Sequence, residues 1–248
     1  GIVAELPAAL VSTLELGKTG ALSGLLIIFF LLLAVLVIGF IVFMERGQRR
    51  IIIQYPKRQV GMKVMQGQSS HLPLKINTAG VIPPIFASSI LLLPVTALSI
   101  NAGNGPDWLL GVTSLLGRGQ PLYMLLYVSA IVFFAFFYTS VVFNAKDTAD
   151  NIKNNGGFVP GIRPGDATAE YIDYVLTRLT VIGSIYLSAV CLLPELLISR
   201  YAVPFYLGGT SLLIVVTVTM DTVAQVHSHL IAHQYEGLIK KAKLRGRF

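Results

Sequence analysis

The side chains most often recruited for chemistry are sparse in this sequence and poorly grouped. His229 and His233 stand one helical turn apart with His227 just before them, the spacing that opens a helical zinc site. No nearby cysteine or acid completes such a set, so no metal is expected there. Cys191 is the lone cysteine and lies inside an uncharged run, where it reads as a small apolar filler; it excludes an intrachain disulfide and leaves the redox compartment unread. An intramembrane hydrolase needs a nucleophile with a base, or a carboxylate pair, at membrane depth. Serines occur in the uncharged runs, but no Lys, His or Asp accompanies them. Ion-coupled transport calls for ionisable groups within the spans, whereas Glu195 and Asp221 stand at the edges of theirs. The Gly-Lys-Ser/Thr signature of a phosphate loop is also missing. These absences favour a passive conduit or a scaffold with no catalysis and no cofactor, any nucleotide-driven work being done by a partner.

What remains is the frame that would position a conduit. Apolar residues make up 54% of the 248 and charged residues only 12%, with a mean hydropathy of +0.72, outside the range of ordinary soluble domains. The 26 residues from Thr19 to Met44 carry no charge. Further uncharged stretches run over 76–106, 119–145, 179–194 and 201–220. A hydrocarbon core of about 30 Å takes roughly 20 helical residues, so an all-α integral membrane protein of five transmembrane helices is expected. The spans are placed at 21–44, 79–100, 122–143, 179–197 and 203–222. External loops fall at 1–20, which begins as the end of a preceding helix, and at 101–121; the facing loops are 45–78 and 144–178, with a tail over 223–248. The fourth span is short between Arg178 and Glu195, which must snorkel toward the interfaces. The opening Gly1-Ile2-Val3-Ala4 lacks a signal peptide's basic start and reads as the tail of an apolar helix, so a piece of a longer or divided polypeptide is expected.

Charge orients this frame. Of the 19 Lys and Arg residues, sixteen lie in 45–78, 144–178 and the tail, and three, Lys18, Arg118 and Arg200, lie in the segments facing the other way. This alternation puts the basic loops and the C-terminus in the cytoplasm. Topology retention and attraction to anionic lipid, at about 1 kcal/mol per basic residue, are the reading charge alone favours; a docking surface for ribosomal RNA or an acidic partner is the alternative.

The loop after the first span holds a β-branched run between basic clusters, which suits a hairpin projecting from the membrane, its tip near Gly61 or around Gly67 with Ser69 and Ser70. Loops of over thirty residues are usually functional. The second span opens with Pro83 and Pro84 among small polar residues, which predicts interrupted helical hydrogen bonding. It is either a kinked packing helix or a mobile helix lining a path. Trp108 suits an interfacial anchor in the second external loop. In the 144–178 loop, helical segments at 145–154 and 167–174 flank a turn-dense tip that holds out Arg163 between prolines and glycines; Arg163 is either a solvated turn charge or a contact.

Four segments in order resemble landmarks of the bacterial SecY family: Glu45-Arg-Gly-Gln-Arg-Arg50, Ser70-His-Leu-Pro-Leu-Lys-Ile-Asn-Thr-Ala-Gly-Val-Ile-Pro83, Phe158-Val-Pro-Gly-Ile-Arg-Pro-Gly165 and Val203-Pro-Phe-Tyr-Leu-Gly-Gly-Thr-Ser-Leu-Leu-Ile214. They run from six to fourteen residues each, and the resemblance extends over the whole chain. The resemblance is to the family's C-terminal half, from the end of helix five through helix ten. It implies half of a ten-helix clamshell that passes unfolded secretory chains across the bacterial inner membrane and membrane helices sideways into it. The second span would be one wall of the lateral gate, with Asn77, Ser88 and Ser89 on its polar face. Ile82 or Ile85, with Ile214, would belong to the apolar pore ring, a dry constriction that dewets against ions yet yields to a passing chain. Arg49, Arg50, Lys57, Arg58 and Lys63 would meet the ribosome and its RNA, and Arg163 the motor SecA. The implied partners are the N-terminal half of SecY, SecE, SecG, SecA, the ribosome, translocating preproteins and anionic lipid. Met62 replaces a second basic residue frequent in the family, and Pro84 stands where Ala is usual. Half of a secondary transporter, binding solute at a broken second span, is the alternative.

Overall fold

The computed structural model describes residues 24–56, 58–60, 63–65, 67, 69–101, 117, 119–201 and 209–245, together with Val11, Glu15 and Lys18. The helices are α1 (Gly24–Arg46), α2 (Ile82–Asn101), α3 (Pro121–Val142), α4 (Ala145–Asn154), α5 (Asp166–Tyr201) and α6 (Gly209–Arg245). Between α1 and α2 lie the strands β1 (Gln48–Gln54), β2 (Arg58–Val60), β3 (Lys63–Met65) and β4 (Ser69–Lys75). Among the described residues, α1, α3 with α4, α5 and α6 contain four segments long and apolar enough to cross a membrane, and α2 contributes a shorter apolar helix over Ile82–Pro94.

Helix α5 is the centre of the bundle. It packs against α1, α2, α3, α4 and α6, and half of its most apolar window is buried, against 17% in α1 and in α6, whose outer faces are left for lipid or partners. Ile41, Ala87, Ile131, Leu187 and Leu213, one from each long helix, are fully buried in a single apolar core. Two glycines let backbones meet there. A Cβ on Gly183 would lie 2.9 Å from the Ile76 carbonyl oxygen, and one on Gly209 would lie 2.7 Å from Cys191 Cα. Small residues at such crossings are what packing inside a bilayer requires.

A second apolar core lies beyond the membrane helices, on the basic face. Ile51 and Ile53 point inward from β1 while Ile52 between them is exposed, the period-two pattern of a half-buried strand. With Leu74 of β4 they pack on Ile152 of α4, Val159, and Ile172 and Leu176 of α5. Helix α4 begins where Asn144 caps it, the side-chain oxygen accepting from the Lys146 and Asp147 amides at 3.1 and 3.4 Å. Asp147 favours the start of α4 and Lys153 its end, as the helix dipole prefers.

The structure departs from expectation at three places. The helical segment expected at 167–174 and the short fourth span are one 36-residue helix, α5, so the apolar run gains its length from a polar extension. The tail past Asp221 continues α6 without a break to Arg245. Pro83 and Pro84 do not interrupt α2: they lie in its first turn, where the missing N–H donors would have had no helical partner. The proline inside α2 is Pro94.

Candidate gate helix and docking face

The entry into α2 is built around one buried amide. Strand β4 ends at Lys75, and the Ile76 amide donates to the Gly47 carbonyl at 3.1 Å, holding the hairpin's root against the end of α1. Asn77, 5% exposed, donates both amide hydrogens: Nδ2 reaches Glu45 Oε1 at 2.6 Å and the Gly80 carbonyl at 3.1 Å. Pro84 has no N–H to offer that carbonyl one turn back, and the Asn77 side chain supplies a donor in its place. Gly80 turns the chain with φ +65, a conformation cheap only for glycine. Asn77 therefore lies before α2, turned to α1, and not along a polar face of that helix.

Along α2, Ala87 and Leu91 face the core. Ile82, Ile85, Ser89 and Leu93, at helical spacing on the other side, do not: Ile82 is half-buried, and the other three are exposed. The Ser88 and Ser89 hydroxyls both donate to the Ile85 carbonyl, at 2.9 and 2.8 Å, so their polarity is spent largely on their own helix. Phe86 stacks on Phe134 of α3 with ring centroids 5.9 Å apart. On α6, Leu212, Leu213 and Val216 are buried, while half-buried Ile214 falls on the opposite side with exposed Val218 and Asp221. Ile82, Ile85 and Ile214 thus stand on the open sides of two helices that share α5 as a neighbour.

The basic residues divide between two loops joined by backbone. Arg49 and Arg50 are exposed on β1, opposite Leu74 and Pro73 of β4. Arg58 in β2 pairs with Met65, and Lys63 in β3 with Val60. Lys57, Gly61, Met62 and Trp108 lie outside the described residues. Arg163 is exposed between Gly161 (φ +84) and Gly165 (φ +115), with its carbonyl accepting from the buried Thr168 hydroxyl at 2.8 Å. The backbone is held while the guanidinium points out.

Two hydrogen bonds of 2.9 Å, Gln54 amide to Phe158 carbonyl and Phe158 amide to Gln54 carbonyl, tie the hairpin to this second loop. Gly157 lies so close that a Cβ there would meet Ile53 Cγ2 at 2.9 Å. Neither this bridge nor the Glu45–Asn77 pair was visible in the sequence. The β-branched run at Ile51–Ile53 signalled a strand but neither which side it buries nor its partner, and Glu45 was legible only as the start of the loop and of a family landmark. Among the described residues no group of His, Cys, Asp and Glu is arranged to hold a metal. His227 and Asp221, with Glu45, Arg46 and Lys75, instead line an open cleft of about 780 Å³ between α1, the hairpin root and α6.

The chain is similar across its length to curated proteins named protein translocase subunit SecY. It is 56% identical over 250 residues to that of Vibrio cholerae and 55% identical over 247 residues to that of Escherichia coli K12; each alignment covers 99% of this chain and 56% of the relative. The Pseudomonas aeruginosa protein is 57% identical over 247 residues. The chain therefore spans a little over half the length of these relatives. Among solved structures it resembles one described as a protein conducting channel, with a TM-score of 0.59 at 16% identity, covering 90% of this chain and 54% of the other. Another concerns a SecY plug domain, with a TM-score of 0.55 over 80% of this chain and 49% of that one. The SecY family model matches residues 1–223, and the chain belongs to the SecY family.

Proposed function

We propose that this chain is half of a protein-conducting channel, joining an N-terminal SecY half to pass unfolded secretory chains across the membrane and apolar helices sideways into it. The observation that carries this reading is the placement of Ile82, Ile85 and Ile214 on the open sides of α2 and α6, away from the core of this half. Such a half-shell has an apolar wall and no charge at its middle, which suits a dry constriction. Continuous α2 removes the premise of the solute-binding alternative, which needs a helix broken at membrane depth. The channel performs no catalysis; the motor is a partner.

Lys/Arg bias orients the protein in a bacterial inner membrane with the hairpin, the Arg163 loop and the C-terminus in the cytoplasm. The hairpin, with Arg49, Arg50, Lys57, Arg58 and Lys63, meets the ribosome, and Arg163 meets SecA; SecE and SecG complete the complex. Because the two loops share an apolar core, they present one surface to either partner. The test is SecA-dependent translocation of a secretory precursor into vesicles holding this chain with its N-terminal half, with native Arg163 or Arg163→Glu. Loss of transport in an intact Arg163→Glu complex supports motor docking at this loop. Unchanged transport removes that role, and no transport by the assembled native complex removes the channel reading.

A further inference from the structure

The three attachments of the α2 entry are out of proportion to its length. Within Ile76–Gly80, the backbone bonds Gly47, the Asn77 amide bonds Glu45, and the Ile76 carbonyl rests against Gly183. Thr78 Oγ1 also donates to the Lys75 carbonyl at 3.0 Å. Pro94 lies inside α2, toward its other end.

We propose that Glu45 is a positioning residue for the gate: through Asn77 it latches the hairpin end of α2 to α1, holding the resting channel closed. The Asn77 amide is buried, and both its hydrogens are used, one on a carboxylate oxygen and one on the carbonyl that Pro84 leaves without a donor. If Glu45 is removed, one buried N–H is left without its acceptor, a loss that charge-assisted bonds make larger than the gain from an ordinary one. The latch connects α1, β4, α2 and α5 within five residues of chain. Its consequence for the gate rests on the reading of α2 as a gate wall; its existence does not.

The experiment has two readouts on the complete channel in lipid nanodiscs and planar bilayers. Hydrogen exchange of the backbone amides at 86–90 reports whether the first turns of α2 are held. Resting ion conductance without precursor reports whether the pore is closed. Glu45→Ala and Asn77→Ala are each expected to speed that exchange by about ten-fold, and the double variant by no more than either alone. Both should raise resting conductance, while Glu45→Gln, whose amide oxygen still accepts from Asn77, restores both to within about two-fold of native. If the alanine variants fail to assemble, Glu45→Asp carries the same test, because it keeps the charge but draws the oxygen back by one methylene. Native exchange in a variant without the bond overturns the latch. Faster exchange with native conductance overturns the gate-closing role, as does equal disturbance by Glu45→Gln and Glu45→Ala. Failure of the native channel to translocate a precursor bears instead on the channel reading.

Discussion

Ile53→Ala should release the hairpin from the Arg163 loop, and the size of that release follows from the geometry. Ile53 is 5% exposed, beside the Gln54–Phe158 bridge, and touches the space over Gly157. Truncating a buried Ile to Ala costs about 2–5 kcal/mol, depending on how far the site collapses. Unlike a residue in the membrane core, Ile53 lies in the part of the fold that meets water, so the transfer term applies in full. At the lower bound of about 2 kcal/mol the open population of the hairpin rises roughly thirty-fold. Arg49 and Arg50 on β1 are built-in trypsin sites that can be cut only when β1 leaves β4, and cleavage follows the open population while opening and closing are fast. Mass spectrometry of cuts after those two residues in the membrane-embedded protein therefore reads the opening. Ile52→Ala is the control: the same chemistry, 48% exposed, one residue away on the outer face. Its effect should stay within about 0.5 kcal/mol, roughly two-fold in rate. Equal acceleration by the two variants, or none by Ile53→Ala, would refute the shared apolar core as the tie between the loops.

Three further outcomes follow from the same structure. Gly183→Val should destabilise the assembled protein by about 1–3 kcal/mol in thermal unfolding, because the new side chain meets backbone at Ile76; Gly39→Val, with nothing within 4 Å, should change it little. Asn144→Ala should cost about 1 kcal/mol in denaturant unfolding of the basic-face unit, and Asn144→Ser should recover most of it. Ribosome binding to vesicles bearing the channel should weaken steeply between low and moderate salt, and Arg49→Glu with Arg50→Glu should flatten that dependence, since counterion release scales with the phosphates neutralised.

Much of the architecture was legible because bilayer burial leaves a coarse mark. Uncharged runs and the placement of Lys and Arg depend on side-chain type alone, and the helix at Ala145–Asn154 was expected beside the turn-dense tip that holds Arg163. The failures came where the outcome depends on which turn of a helix a residue occupies or which distant segment it meets. Pro83 and Pro84 break a helix interior but suit a first turn, and the choice is made by Gly80 and Asn77, which turn the chain and supply the donor. Asp166 opens a helix that runs through a charged segment into the membrane, so charge density marked a loop where backbone bonding continued. Glu45 and Asn77 are 32 residues apart, and no local pattern pairs them.

The most direct test of the channel reading places a photo-crosslinking side chain at Ile82, Ile85 or Ile214 of the complete channel and arrests a secretory precursor in transit. Adducts to the precursor at all three positions, and none at Leu32 on the exposed side of α1, are the result the account predicts. A precursor that crosslinks from Leu32 as readily as from the three isoleucines, or from none of them while transport proceeds, would contradict it.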